Sequence, residues 1–231
     1  MIFLAGDTHI PLDIGKLSAK NFPQQKTMTR EDFVIVLGDF GLLWKKDKTY
    51  QYWLDVLSSR NYTLLWLDGN HENFDWLNSF PVEDWNGGKI HKIADNIFHL
   101  MRGNCFRLDN KQFFVTGGAQ SYDKAMRIEG ISWWKDELWS YQEQEHAFSV
   151  LQNLKKQGKR VDYVLSHTCP SELIYPIFGV DDNNDPTTKI LSEINKVLDD
   201  EFTGWFFGHW HKDISCGKFH CLYRNLQKII Y

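Results

Sequence analysis

Residues 64–74 read LLWLDGNHENF. An apolar run this dense is the signature of a strand buried on both faces. It stops at Asp68-Gly69 and delivers Asn70, His71 and Glu72 side by side. A surface turn tolerates an amide, an imidazole and a carboxylate, but nothing in turn chemistry requires the histidine. The reading therefore depends on how the other strands of the chain end.

Short apolar runs recur at MIFLAG (1–6), FVIVLG (33–38), NIFHL (96–100), QFFVTGG (112–118), DYVLSH (162–167), GWFFGH (204–209) and FHCLYR (219–224). Between them lie segments with helical periodicity. Residues 50–60 place Trp53, Leu54 and Leu57 on one face. Residues 136–157 group Leu138, Tyr141, Phe148, Leu151 and Leu154, and residues 187–198 group Ile190, Leu191, Ile194, Val197 and Leu198. Residues 90–120 read as consecutive strands with no helix between, punctuated by Asp95-Asn96, Arg102-Gly103-Asn104 and Asp109-Asn110. The pattern predicts an α/β fold of two mixed sheets face to face, with helices outside. One domain over 1–231 is expected, since the polar loop GVDDNNDPTT (179–188) is too short to divide it.

The strand exits share a chemistry. FLAG leads into Asp7-Thr8-His9, VIVLG into Asp39, LLWLDG into Asn70-His71, DYVLS into His167, and WFFG into His209-Trp210-His211. Each ends in a group that binds metal or moves a proton. Ligands of open α/β sheets gather at the carboxyl ends of strands, so the five exits are expected to converge. In extended backbone, residues i and i+2 point the same way, which suits D-x-H and H-x-H and turns Thr8 and Trp210 aside. His91, His99, His146 and His220 occupy no such exit and read as ordinary.

Asp7, His9, Asp39, Asn70, His167, His209 and His211 offer only oxygen and nitrogen, a set suited to Mn, Fe, Zn, Ni or Mg. Seven donors exceed the need of one ion with open catalytic positions. Two ions sharing a bridging carboxylate account for them.

Composition excludes some alternatives. With 42% hydrophobic residues the chain has ample core material, and a formal net charge of −4 argues against broad adhesion to duplex nucleic acid or anionic membrane. No window approaches the roughly 18 apolar residues of a membrane span, and MIFLAGDTH lacks the basic start of a signal peptide. The four cysteines have no CxxC spacing and read as reduced thiols, which points to the cytoplasm.

GDTH, GD, GNHE, an isolated SH and GHWH, in this order over residues 6 to 211, resemble the calcineurin-like metallophosphoesterase superfamily. The resemblance implies a four-layer α/β sandwich with a dinuclear metal centre. It assigns Asp7, His9 and His211 to one ion, Asn70, His167 and His209 to the other, and Asp39 to both. Manganese is the first expectation for the pair. His71 would be the histidine that binds no metal and assists the leaving group. A hydroxide between the ions would attack phosphorus directly, with no covalent enzyme intermediate.

This chain departs from the family pattern in three places. The phosphoprotein phosphatase branch carries GDxxDRG, where the second Asp orients the catalytic histidine and the Arg grips phosphate; here the run is GDFGLLW (38–44). Ile10-Pro11 stands where many relatives have glycine, which argues against close backbone approach of a substrate there. The segment GGAQSYDKAMRIEGISWWKDELWS (117–140) is longer than a strand-to-helix connection needs and is expected near the site mouth. In it, Arg127 is a candidate for the missing phosphate-gripping arginine, with an Asp123–Arg127 ion pair as the plain alternative. Trp133 and Trp134 would pack the loop down or stack a nucleobase.

The expected function is hydrolysis of a phosphomono- or phosphodiester, on a small or nucleotide-like substrate. Two alternatives stand beside it: a phosphoprotein phosphatase, which the absent DR pair disfavours, and a non-catalytic metal-dependent binder of phosphate or nucleotide. The histidine at position 71 favours an enzyme, because a binder has no use for a proton donor there. Neither a membrane nor an extended duplex is expected as a partner.

Overall fold

The computed structural model describes residues 1–181 and 184–230, so Asp182 and Asn183 of the 179–188 loop lie outside the described residues. Thirteen strands and five α-helices follow one another among them. In chain order the strands are β1 (Ile2–Ala5), β2 (Phe33–Leu37), β3 (Thr63–Leu67), β4 (Val82–Trp85), β5 (Gly88–Ala94), β6 (Ile97–Leu100), β7 (Asn104–Leu108), β8 (Lys111–Val115), β9 (Tyr163–Leu165), β10 (Gly204–Phe207), β11 (Ile214–Cys216), β12 (Phe219–Cys221) and β13 (Gln227–Lys228). The helices are α1 (Lys48–Ser58), α2 (Phe74–Leu77), α3 (Tyr141–Lys156), α4 (Ser171–Phe178) and α5 (Pro186–Leu198).

One sheet has the order β13-β1-β2-β3-β6-β5-β4 and the other β11-β12-β10-β9-β8-β7. Strands β1, β2, β3 and β6 run parallel, as do β8, β9, β10 and β12. The expected α/β sandwich of two mixed sheets is what forms.

The apolar run of the opening stretch has a two-sided explanation. Leu65 and Leu67 pack between the sheets with Ile35, Leu37, Phe113 and Leu165. Leu64 and Trp66 point the other way, into a core with Val34, Val36, Leu57 and Phe74. A strand covered on both faces has no side left for polar residues, hence no alternation. On the outer face of the second sheet, Phe114, Val164 and Trp205 meet Leu151 of α3 and Leu191 and Ile194 of α5.

Two elements depart from the periodicity. The helical pattern of 136–157 begins as an α-helix only at Tyr141, because Ser140 and Glu143 form a reciprocal capping box there. Leu138 therefore lies outside it. Helix α4, SELIYPIF, is eight residues with Pro176 inside, too short and interrupted to announce itself. No helix among the described residues is long and apolar enough to cross a membrane.

Candidate metal centre

Strands β1, β2 and β3 are adjacent and parallel in one sheet, and β9 and β10 are adjacent and parallel in the other, so the exits share one end of the sandwich. Glycine lets them close up. A Cβ on Gly69 would lie 2.0 Å from Asp39 Oδ1, and one on Gly208 would lie 2.1 Å from Asp7 Oδ1. Both positions exclude any side chain.

The backbone then turns more sharply than expected. His9 (φ 34°), Asp39 (φ 50°), His209 (φ 66°) and His211 (φ 49°) are left-handed. The extended-strand account of D-x-H and H-x-H is therefore corrected: tight turns, not pleated backbone, aim these side chains. Such conformations in residues other than glycine are unfavourable and persist where the surroundings enforce them. Here Asp39 O accepts the N–H groups of Thr8 and His9 at 3.2 and 2.8 Å, and buried Glu72 accepts that of Phe40 at 3.1 Å. Burial and the nearby Asp39 charge push the Glu72 carboxyl up to about 8. Thr8 and Trp210 do face away: Thr8 Oγ1 donates to Phe40 O, and Trp210 stacks on Phe178 at 4.3 Å.

All seven predicted donors come together. His9 Nε2 lies 3.2 Å from Asp39 Oδ2, and His167 Nε2 lies 3.4 Å from Asp39 Oδ1. His211 Nε2 is 2.9 Å from Asp7 Oδ2, an oxygen that is buried and has no aligned hydrogen-bond donor. Asn70 Oδ1 faces both His167 Nε2 at 3.1 Å and His209 Nδ1 at 3.0 Å. Asp7, His9 and His211 form one cluster with metal-ligand spacing, and Asp7, Asp39 and His167 another.

Imidazole nitrogens and carboxylate oxygens gathered this closely can each turn a lone pair to an ion held between them. The far sides of the rings agree: His9 Nδ1 faces Asp13 Oδ2 at 3.0 Å and His167 Nδ1 faces Leu37 O at 2.8 Å, the outer contacts that orient metal-binding imidazoles. The residues present fit divalent metal.

Electrostatics point the same way. Burial works against the charge on Asp39, but the charge and hydrogen bond of His167, with the hydrogen bond of His9 and the charge of His71, together outweigh this and hold its carboxyl well below the usual range. Asp7 is lowered too, its burial offset by His211 and His167. Burial opposes protonation of His9 and His167, yet Asp39 raises them to about 9 and about 10. Burial and the neighbouring His167 push His209 down to about 3.

His71 stands apart from this set. Its backbone N–H donates to Asp39 Oδ1 at 2.8 Å, and its ring packs near Trp44 at 6.5 Å and His9 at 6.1 Å. A cavity of about 400 Å³ opens there, with Arg127 among its lining residues. Arg127 does pair with Asp123 at 2.6 Å, and its Nη1 donates to Ser132 O at 3.0 Å. The ion pair and the place beside His71 coexist. Trp134 is a packing residue: it is buried and donates to Asp75 at 2.8 Å. Lys124 lies over the Trp133 ring at 5.2 Å.

Sequence reasoning missed the residues that hold the donors. Ser121 reaches Asn70 from the long segment with Glu137 bonded behind it, and Tyr223 stacks on His211 at 4.6 Å. Lys16 donates to the Asp7 carbonyl at 2.6 Å. His99, read as ordinary, faces Asp68 Oδ1 at 3.2 Å, and Arg102 pairs with the other oxygen of that buried carboxylate. Asp68 sits just before Gly69-Asn70, which was the available signal.

At one end of the sandwich the structure thus gathers oxygen and nitrogen donors at spacings that suit metal ions. The model of the calcineurin-like phosphoesterase family matches residues 1–213, and the chain belongs to that family. Among solved structures, the chain is similar to the NAD nucleotidase NadN of Haemophilus influenzae, at 17% identity and a TM-score of 0.44. That match covers 92% of this chain but 38% of the nucleotidase. No curated protein matches the chain.

Proposed function

We propose that the chain hydrolyses phosphomonoesters or phosphodiesters of small or nucleotide-like molecules with two divalent ions, manganese by preference. The supporting observation is Asp39, one buried carboxylate with an oxygen toward His9 and the other toward His167. In this reading Asp7, His9 and His211 hold one ion, Asn70, His167 and His209 the other, and Asp39 serves both. When bound, such ions neutralise phosphoryl oxygens and acidify a water into a nucleophile.

The chain's own residues do the rest. Asp7 and Asp39 offset only about half of the roughly +4 carried by two ions, and Asn70 adds no charge, so the site keeps a positive balance suited to phosphate. As the bond to the leaving group breaks, charge collects on its oxygen. His71 supplies a proton or hydrogen bond there. Burial lowers the His71 pKa, as does Arg127, while Asp39 works against both. Arg127 contributes a guanidinium to the bound phosphate. Residues 1–231 act as one domain in this reading. A cytoplasmic location accords with four cysteines free of disulfides.

The test is a screen of the Mn²⁺-loaded protein on aryl phosphate monoesters, aryl diesters, cyclic nucleotides and a phosphopeptide. Turnover of a small ester or nucleotide above the phosphopeptide supports the proposal. A preference for the phosphopeptide would make it a phosphoprotein phosphatase, and no turnover of any would make it a binder.

A further inference from the structure

The cavity beside His71 has a wall that phosphoryl chemistry does not call for. Ile10, Pro11, Leu12 and Trp44 line it, beside His9 and His71. Leu12 is 82% exposed, an apolar side chain left in water at the lip of a site otherwise built from His, Asp and Asn. Trp44 is held edge-on by Trp134 at 5.7 Å and 80°, and Trp134 is itself fastened to Asp75. The segments carrying Ile10 and Trp44 meet at backbone level: Ile10 N donates to Phe40 O at 3.1 Å, and a Cβ on Gly41 would lie 2.5 Å from Ile10 N. The wall is therefore built in advance.

We infer that this wall is the leaving-group subsite, and that it takes a leaving group carrying an aromatic ring. The inference rests on the phosphoester reading above and names its substrate class. Three observations carry it. The first is position. His71 stands between the ligand cluster and Trp44, so a leaving oxygen that meets His71 has its substituent directed along Trp44 and Leu12.

The second is chemistry. The wall offers no amide or hydroxyl side chain, and Nε and Nη1 of Arg127 are already engaged by Asp123 and Ser132. A polyol or peptide would give up hydrogen bonds to water there without replacement, whereas a ring loses none and gains contact with Trp44. The third is size. A cleft of about 400 Å³ falls in the range of small-ligand sites and has room for a ring system. Ile10-Pro11, in place of glycine, thus replaces a bare backbone surface with an apolar one.

The test is a pair of non-hydrolysable probes, phenylphosphonate and methylphosphonate, titrated calorimetrically into the Mn²⁺-loaded protein. The wild type is expected to favour the phenyl probe by about tenfold, the order of one aromatic contact. Trp44→Leu and Leu12→Ser should each bring the affinity ratio toward one. Leu12 is exposed, so its substitution leaves the fold intact and keeps the test valid if Trp44→Leu loosens the loop. A wild-type ratio near one, or a ratio preserved in both variants, overturns the subsite. If neither phosphonate binds, the phosphoester reading itself falls and the subsite falls with it.

Discussion

The amide of Asn70 donates to Ser121 Oγ at 3.1 Å, and this bond decides which end of the amide faces the metal centre. Ser121 Oγ donates its own hydrogen to Glu137 Oε2 at 2.6 Å, and its backbone N–H donates to Oε1 at 2.9 Å. A carboxylate only accepts, so the hydroxyl must point at Glu137 and receive from Asn70 with a lone pair. The Asn70 carbonyl oxygen is left to face His167 and His209. All three residues are buried, which makes the polarity of the chain hard to reverse.

Ser121→Ala should therefore weaken the ion beside Asn70. Losing an outer contact of this kind costs about 10- to 100-fold in metal affinity. Calorimetric titration with Mn²⁺ should show one weakened site and one retained, with Ser121→Thr restoring the first. An unweakened site in Ser121→Ala would mean that the amide needs no such guide.

His71→Asn should keep its metal and lose roughly 10²- to 10⁴-fold in kcat, the usual worth of a positioned acid. The loss should shrink for esters of nitrophenolate, which leave without a proton. Equal losses for good and poor leaving groups would reassign His71 to phosphate binding.

Arg127→Ala should raise KM by about tenfold, the low end for a hydrogen bond to a charged group. The low end is expected because two of its nitrogens already serve Asp123 and Ser132. Steady-state kinetics decide it. Unaltered KM and kcat would make Arg127 only a brace of the 117–140 segment.

Metal uptake should depend on pH in a set direction. Metal-free His9 and His167 hold protons up to about 9 and about 10, and a histidine must lose its proton to bind an ion. Apparent Mn²⁺ affinity should thus climb as pH rises toward 9, with protons released on binding. Titrations in buffers of different ionisation enthalpy will measure that release. Uptake without proton release would contradict the pairing of these rings with Asp39.

Much of this was legible in the sequence because the strong signals are local. LLWLDG is apolar throughout because both of its faces are covered, and each converging exit carries its donor within a few residues of the strand end. What was illegible is set by distance and turn geometry. Ser121 reaches Asn70 across 51 residues, and no pattern in either segment announces the other. The left-handed turns at His9, Asp39, His209 and His211 follow from crowding among five exits, which a single strand does not reveal. Trp44 reads as one tryptophan among ten until Ile10 and Leu12 are set beside it.

The central claim is that one carboxylate, Asp39, serves two ions at the meeting of the strand exits. Anomalous diffraction at the manganese edge, on crystals of the Mn²⁺-loaded protein, tests it directly. The account predicts two peaks about 3.5–4 Å apart, one near Asp7, His9 and His211, the other near Asn70, His167 and His209, with Asp39 between them. In Asp39→Asn at least one peak should fade. A single peak in the wild type, or two peaks that persist in Asp39→Asn, would contradict it.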